Sequence, residues 1–213
     1  MSSKLPGLLA IFAATLNAQT PFKFQGQEVT ITEPKLDESG ANPKGPATIC
    51  VEWEQRQCYT TPQGYGRAPE AHVVQVAKDL DALLFSAATG GVSDFGIHFA
   101  LLTRGGGREL QDLFYSTIEA SNQSRHALWN EPAISSSQIF VLADYVWGPG
   151  EPTHAPHRYM ISTYVRKPAP AFDLAHYYLE DRYMTARKYD PDTKTDILAS
   201  EKQEILARLM RVK

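Results

Sequence analysis

Two runs of this 213-residue chain are apolar on both of their alternating faces, and a strand of that kind needs cover on either side. They are residues 96–103, GIHFALLT, and residues 139–147, IFVLADYVW. Around them, β-branched and aromatic residues come in short runs split by Gly, Pro, Asn and Ser, which is the pattern of strands joined by turns. The spacing predicts strands near 47–53, 57–61, 72–77, 82–88, 96–103, 110–115, 125–130, 138–147, 157–167 and 176–188. The stretch 173–190 fits a helix through Leu174, Tyr177 and Tyr178, and an extended chain through Tyr177, Leu179, Tyr183 and Thr185; the extended reading is preferred.

One helix is expected, at the C-terminus. Ser200 followed by Gln203 has the form of a capping box, and Ile205, Leu206, Leu209 and Met210 then share a face. The fold class is therefore mainly β, a sandwich or barrel-like sheet, with a small propeller as a further alternative, plus one C-terminal α-helix.

Residues 1–18 read as a secretory signal peptide. Lys4 precedes an apolar stretch from Leu5 to Leu16 broken only by Thr15, and Ala18 supplies a small residue at the cut. That core is short of the roughly 20 residues a bilayer-spanning helix needs. Residues 19–46, polar and rich in Pro and Gly, are expected to form an N-terminal arm, and residues 47–213 a single β-rich domain. No transmembrane segment is expected in the mature chain, whose address is then secreted or periplasmic.

Cys50 and Cys58 support that address. Ile49, Val51 and Trp53 alternate before a turn near Glu54, and Gln57, Tyr59 and Thr61 alternate after it, so the cysteines face one another across a hairpin and form a disulfide in an oxidising compartment. The charges, 21 Lys plus Arg against 24 Asp plus Glu, give a formal net charge of −3. Without a basic surface to displace counterions, nucleic acid is not an expected partner.

Catalytic signatures fail by a residue or two. Around Ser93, Gly91 and Gly96 resemble a nucleophile elbow, but Phe95 stands where the second Gly belongs. Asp190, Asp192, Asp196 and Glu201 copy part of a calcium loop, but Lys194 and Thr195 replace an oxygen ligand and the turn Gly. The glycine run 105–107 is a turn and lacks the Lys-Ser/Thr ending of a phosphate loop. Asn122 heads a glycosylation sequon and is read as a surface loop.

Two clusters remain. Asp144, Glu151, His154 and His157 surround a Gly- and Pro-rich crossing between two strong strands, and two imidazoles with two carboxylates suit zinc or a similar divalent ion. The other reading is that Asp144 accepts from loop amides or pairs with Arg158, while the histidines stiffen the crossing through hydrogen bonds. Tyr178, Arg182 and Tyr183 form the second cluster, where aromatic and charged side chains offer a face to a sugar or protein, or a solvated sheet surface laced with ion pairs.

The chain resembles a group of secreted bacterial proteins common in soil acidobacteria. The likeness rests on LLFSAA at 83–88 before Gly90 and Gly91, on FVLADYVWG at 140–148 followed by Glu151, His157, Arg158 and Tyr159, and on YYLEDRYMT at 177–185 with the closing helix. It implies a secreted, β-rich protein and carries no catalytic residue with it. The expectation is a non-enzymatic module binding a protein, glycan or envelope component, without a cofactor. A divalent-metal protein, even a hydrolase, built on Glu151, His154 and His157 is the alternative, and a structural envelope protein is a second.

Overall fold

The computed structural model describes residues 22–91, 95–152, 155–168, 174–190 and 196–212. The segment 1–18 and the residues around Ser93 lie outside that range, as do His154 and the middle of the calcium-like loop. The described residues form thirteen strands in three antiparallel sheets, followed by one helix.

The first sheet runs β1 (Phe22–Phe24), β2 (Gln27–Thr32), β3 (Thr48–Glu52) and β4 (Arg56–Thr60), in chain order. Within the arm expected at 19–46, residues 22–32 supply two of the four strands of this sheet, with Phe24 and Val29 buried. Gln25 and Gly26 between β1 and β2 both have positive φ, 50° and 79°, the twist that closes a two-residue hairpin and that glycine adopts without steric cost. Residues 33–46 then cross the surface, pinned by Asp37, whose carboxylate accepts from Ser39 at 2.6 Å and Asn42 at 2.7 Å.

The second sheet holds β5 (Arg67–Ala77), β6 (Leu80–Ala88), β7 (Gly96–Arg104) and β8 (Leu110–Asp112), while β9 (Ile118–Ser121) also pairs with β7. The glycine run after β7 is a turn, closed by Gly105 N–H to Glu109 O at 2.8 Å. The third sheet holds β10 (Arg125–Trp129), β11 (Ile139–Val146), β12 (Arg158–Lys167) and β13 (His176–Met184). The extended reading of 176–188 is correct through Met184.

These sheets stack, and the strand period of two decides which side chain enters which layer. From β6 and β7, Leu83, Phe85, Ala87, Ala100 and Leu102 pack against Ile49 and Val51 of the first sheet. Their neighbours Ala82, Leu84, Phe99 and Leu101 turn the other way, onto Phe140, Leu142, Tyr164 and Tyr177. The opposite face of β11, Ile139, Val141, Ala143 and Tyr145, packs under the helix α1 (Ile197–Val212). The two strands that are apolar on both faces are thus the middle of sandwiches that share a layer. The stack is not closed into a barrel, and its hydrophobic clusters join each sheet to the next without joining the first to the third.

The helix begins a turn earlier than the Ser200 capping box predicts. Asp196 Oδ1 accepts from Ala199 N–H at 3.1 Å, which makes Asp196 the cap and leaves Ser200 inside the helix. Ile197, Leu198, Ile205 and Leu209 are buried, whereas Met210, expected on the same face, is 58% exposed. Polar contacts fix the docking: Arg208 forks onto Asp181 at 2.6 and 3.1 Å, and Glu201 accepts from the hydroxyls of Tyr183 and Tyr189.

Candidate functional site

A cleft of about 560 Å³ opens where the second and third sheets meet, lined by Tyr65, Phe95, Gly96, Glu119, Ala120, Ser121, Asn122, Asp144 and Trp147. It is assembled around the short strand β9. Ile118 and Ala120 point into the core, so the period of two turns Glu119 and Ser121 outward. Register with β7 then sets Ser121 opposite Gly96 and Glu119 opposite His98.

Asp144 reaches the cleft from β11. It sits on the face of Phe140 and Leu142, which packs toward the second sheet, and its Oδ1 accepts from the backbone N–H and the hydroxyl of Ser121, both at 2.8 Å. The expected partners for this carboxylate are the amides of the following loop or Arg158; the donors are instead the amide and hydroxyl of Ser121 on β9. Trp147 stands just past the end of β11 and borders the cleft, while its ring packs on the far-face cluster, 5.0 Å from Tyr145 and 5.1 Å from His157.

Tyr65 forms a second aromatic wall. Its carbonyl accepts from Ala47 N–H at 2.9 Å, and its ring lies 5.6 Å from that of His98. Burial, together with the Glu119 carboxylate that its hydroxyl contacts, pushes the Tyr65 phenol up to about 12. Gly96 makes this closeness feasible, since a Cβ there would lie 3.3 Å from the Tyr65 hydroxyl. Behind them His98 is buried and bonds Tyr59 Oη through Nε2 at 2.8 Å, while its Nδ1 has no partner among the described residues. Burial lowers its pKa, so the imidazole is held neutral beside Glu119.

Glu151 and His157 belong to a different network, on the far face of β11. His157 is fully buried, 4.4 Å from the ring of Tyr145, whose side chain points away from that of Asp144. Its Nδ1 meets Glu151 Oε2 at 2.8 Å and its Nε2 meets Pro152 O at 3.1 Å. Both ring nitrogens thus lie within hydrogen-bond distance of a protein oxygen. Glu151 also binds Lys188 and accepts from Gly148 N–H at 2.9 Å; these bonds, Lys188 first, pull its carboxyl down to about 2. Of the expected set Asp144, Glu151, His154 and His157, the structure brings together Glu151 and His157 and sets Asp144 apart. Among the described residues no three His, Cys, Asp or Glu side chains gather as a metal site.

The second expected cluster is also divided. A bulge between Thr163 and Tyr164 breaks the alternation of β13, so Tyr178 pairs with Val165 on the helix side while Arg182 pairs with Ser162 on the other. Tyr178 lies tilted against Tyr115 with ring centroids 4.6 Å apart, Arg182 donates to the Ser162 hydroxyl at 3.0 Å, and Tyr183 is held under α1 by Glu201 and Arg208.

The Cys50–Cys58 disulfide is formed, between directly opposed residues of β3 and β4 with Cα atoms 4.1 Å apart. Tyr65, Phe95, Glu119 and Asn122 carry no spacing signal in the sequence; the short alternation IEAS at 118–121 is the one local hint of the strand that presents Glu119. No family model matches the chain, and no curated protein or solved structure matches it either.

Proposed function

We propose that this chain is a secreted or periplasmic, non-enzymatic binding module whose ligand sits in the cleft between the second and third sheets. The observation that carries the reading is the composition of the cleft: aromatic walls from Tyr65, Phe95 and Trp147, with Glu119, Asp144 and Asn122 between them. Broad apolar faces with a few fixed polar groups are the general form of a small-molecule site, and the volume lies in the usual range.

The extracytoplasmic address is supported by the disulfide and by the leader-like composition of residues 1–18. None of the described helices is long and apolar enough to cross a membrane.

The test is a thermal-shift screen of the oxidised protein against small polar metabolites, oligosaccharides and peptides, because a ligand that binds only the native state raises its melting temperature. A saturable shift that is lost in both Asn122→Ala and Trp147→Ala supports the proposal. Hits indifferent to both substitutions contradict it.

A further inference from the structure

The geometry points to an organic cation, a quaternary or methylated ammonium group, as the ligand of this cleft. The inference rests on reading the cleft as a binding site, and it follows from the sign of the charge on its walls. Two carboxylates line it, and no Lys or Arg is among the described lining residues.

Several of the protein's other carboxylates are neutralised by a Lys or Arg. Glu54 faces Arg104, Glu131 faces Lys202, Glu151 faces Lys188, Glu180 faces Lys167 and Asp181 faces Arg208. Glu119 and Asp144 stand in none of the ion pairs among the described residues. Among the described residues Asp144 is held by Ser121 through Oδ1, which leaves Oδ2 for a ligand. The one titratable ring opposite Glu119, His98, is buried and neutral and does not cancel its charge.

An ammonium group wrapped in methyls has a positive charge and an apolar surface, and it is weakly hydrated. Carboxylates supply the field for the charge, and aromatic rings attract it through their quadrupoles while covering the methyls. A primary ammonium, strongly hydrated and needing three acceptors, is served less well by walls that are mostly rings. A neutral sugar can donate hydroxyls to the two carboxylates but leaves their charge uncompensated, and an anion is repelled by them.

The test is calorimetric titration of the oxidised full chain with choline and tetramethylammonium, beside dimethylbutanol, the neutral isostere of choline, and N-acetylglucosamine as a neutral polyol. The expected result is saturable binding of both cations, weakening as salt is added, with dimethylbutanol weaker by at least about tenfold. Glu119→Gln, at an exposed position, should weaken choline several-fold while leaving the melting temperature unchanged, and Gly96→Ala should weaken it by crowding Tyr65. Equal binding of choline and dimethylbutanol, or binding of the sugar without the cations, overturns the cation inference and leaves the cleft standing. No response to any probe, together with a screen in which no ligand depends on Asn122 or Trp147, removes both.

Discussion

Asp144 and Ser121 join two sheets through a single oxygen atom. The Asp144 Oδ1 atom takes both the N–H and the hydroxyl of Ser121 at 2.8 Å, so the end of β9 in the second sheet is tied to β11 in the third at the rim of the cleft. A carboxylate on the face of Phe140 and Leu142 is tolerated because it replaces water with two donors. Replacing it should therefore cost stability as well as binding. Asp144→Ala leaves a Ser121 amide without its acceptor and should lower stability by about 1–3 kcal/mol, while Asp144→Asn, which keeps an acceptor oxygen, should lose less. Urea denaturation of the two variants checks the order.

The disulfide closes a short loop, eight residues from Cys50 to Cys58. Chain-entropy arithmetic gives about 2.5 kcal/mol for a loop of that size, acting on the unfolded chain. Replacing both cysteines with Ser should lower the unfolding free energy by about that amount without disturbing the far-UV spectrum. A loss near zero would show that β3 and β4 hold their hairpin equally well unlinked.

Leu209 is 2% exposed and sits in the seam between α1 and β11. Leu209→Ala should cost about 2–5 kcal/mol through lost burial and the cavity left behind. Met210→Ala, one residue on and 58% exposed, should change little. Parallel denaturation curves of the two variants separate the buried face of the helix from its solvated one.

Asp112 gives the fold a pH dependence of known sign. Its Oδ1 accepts from Leu101 N–H and Phe114 N–H, each at 3.0 Å, yet burial outweighs those bonds and raises the carboxyl from 3.8 to about 7. The native state therefore holds a proton that the unfolded chain has released between those values, and the stability this confers is greatest below pH 3.8 and is lost as pH rises toward 7. Asn at this position keeps an acceptor for both amides and cannot ionise. The stability of wild type relative to Asp112→Asn should fall steadily from pH 4 to pH 7 on denaturant titration, and a flat difference would contradict the assignment.

Much of the layering could be read from the residues. Runs such as 96–103 and 139–147 had to be covered on both faces, and in the structure Phe99 and Ala100, neighbours in β7, enter different hydrophobic layers. The Cys50–Cys58 pairing was equally legible, because alternation on each side of Glu54 fixed the register. Weak local signals hid the rest. In β2 Val29 is the single fully buried residue and Ile31 the one other apolar residue, which reads as an arm until their partners Val51 and Ile49 are known. Ser200 and Gln203 matched a capping box, but Asp196 caps a full turn earlier with a carboxylate.

The cleft is the least legible part, for a physical reason. Its residues come from the loop before β5, the start of β7, β9 and the turn after it, and the end of β11, four segments whose meeting depends on how the sheets stack. No spacing rule links Tyr65 to Glu119 or either to Trp147. Asp144 was identifiable because a carboxylate on an apolar face must have a partner, yet its neighbour in sequence, Tyr145, leads to His157 on the opposite face. Proximity along the chain suggested one site where strand alternation makes two environments.

The most direct test of the cleft as the functional centre is a two-dimensional amide NMR titration of the oxidised protein with choline. The account predicts saturable shifts at the amides of Gly96, Ser121 and Asn122 and at the indole N–H of Trp147, with the outer face of the first sheet around Cys50 and Cys58 unmoved. Shifts confined to other surfaces, with those four signals fixed, would contradict it.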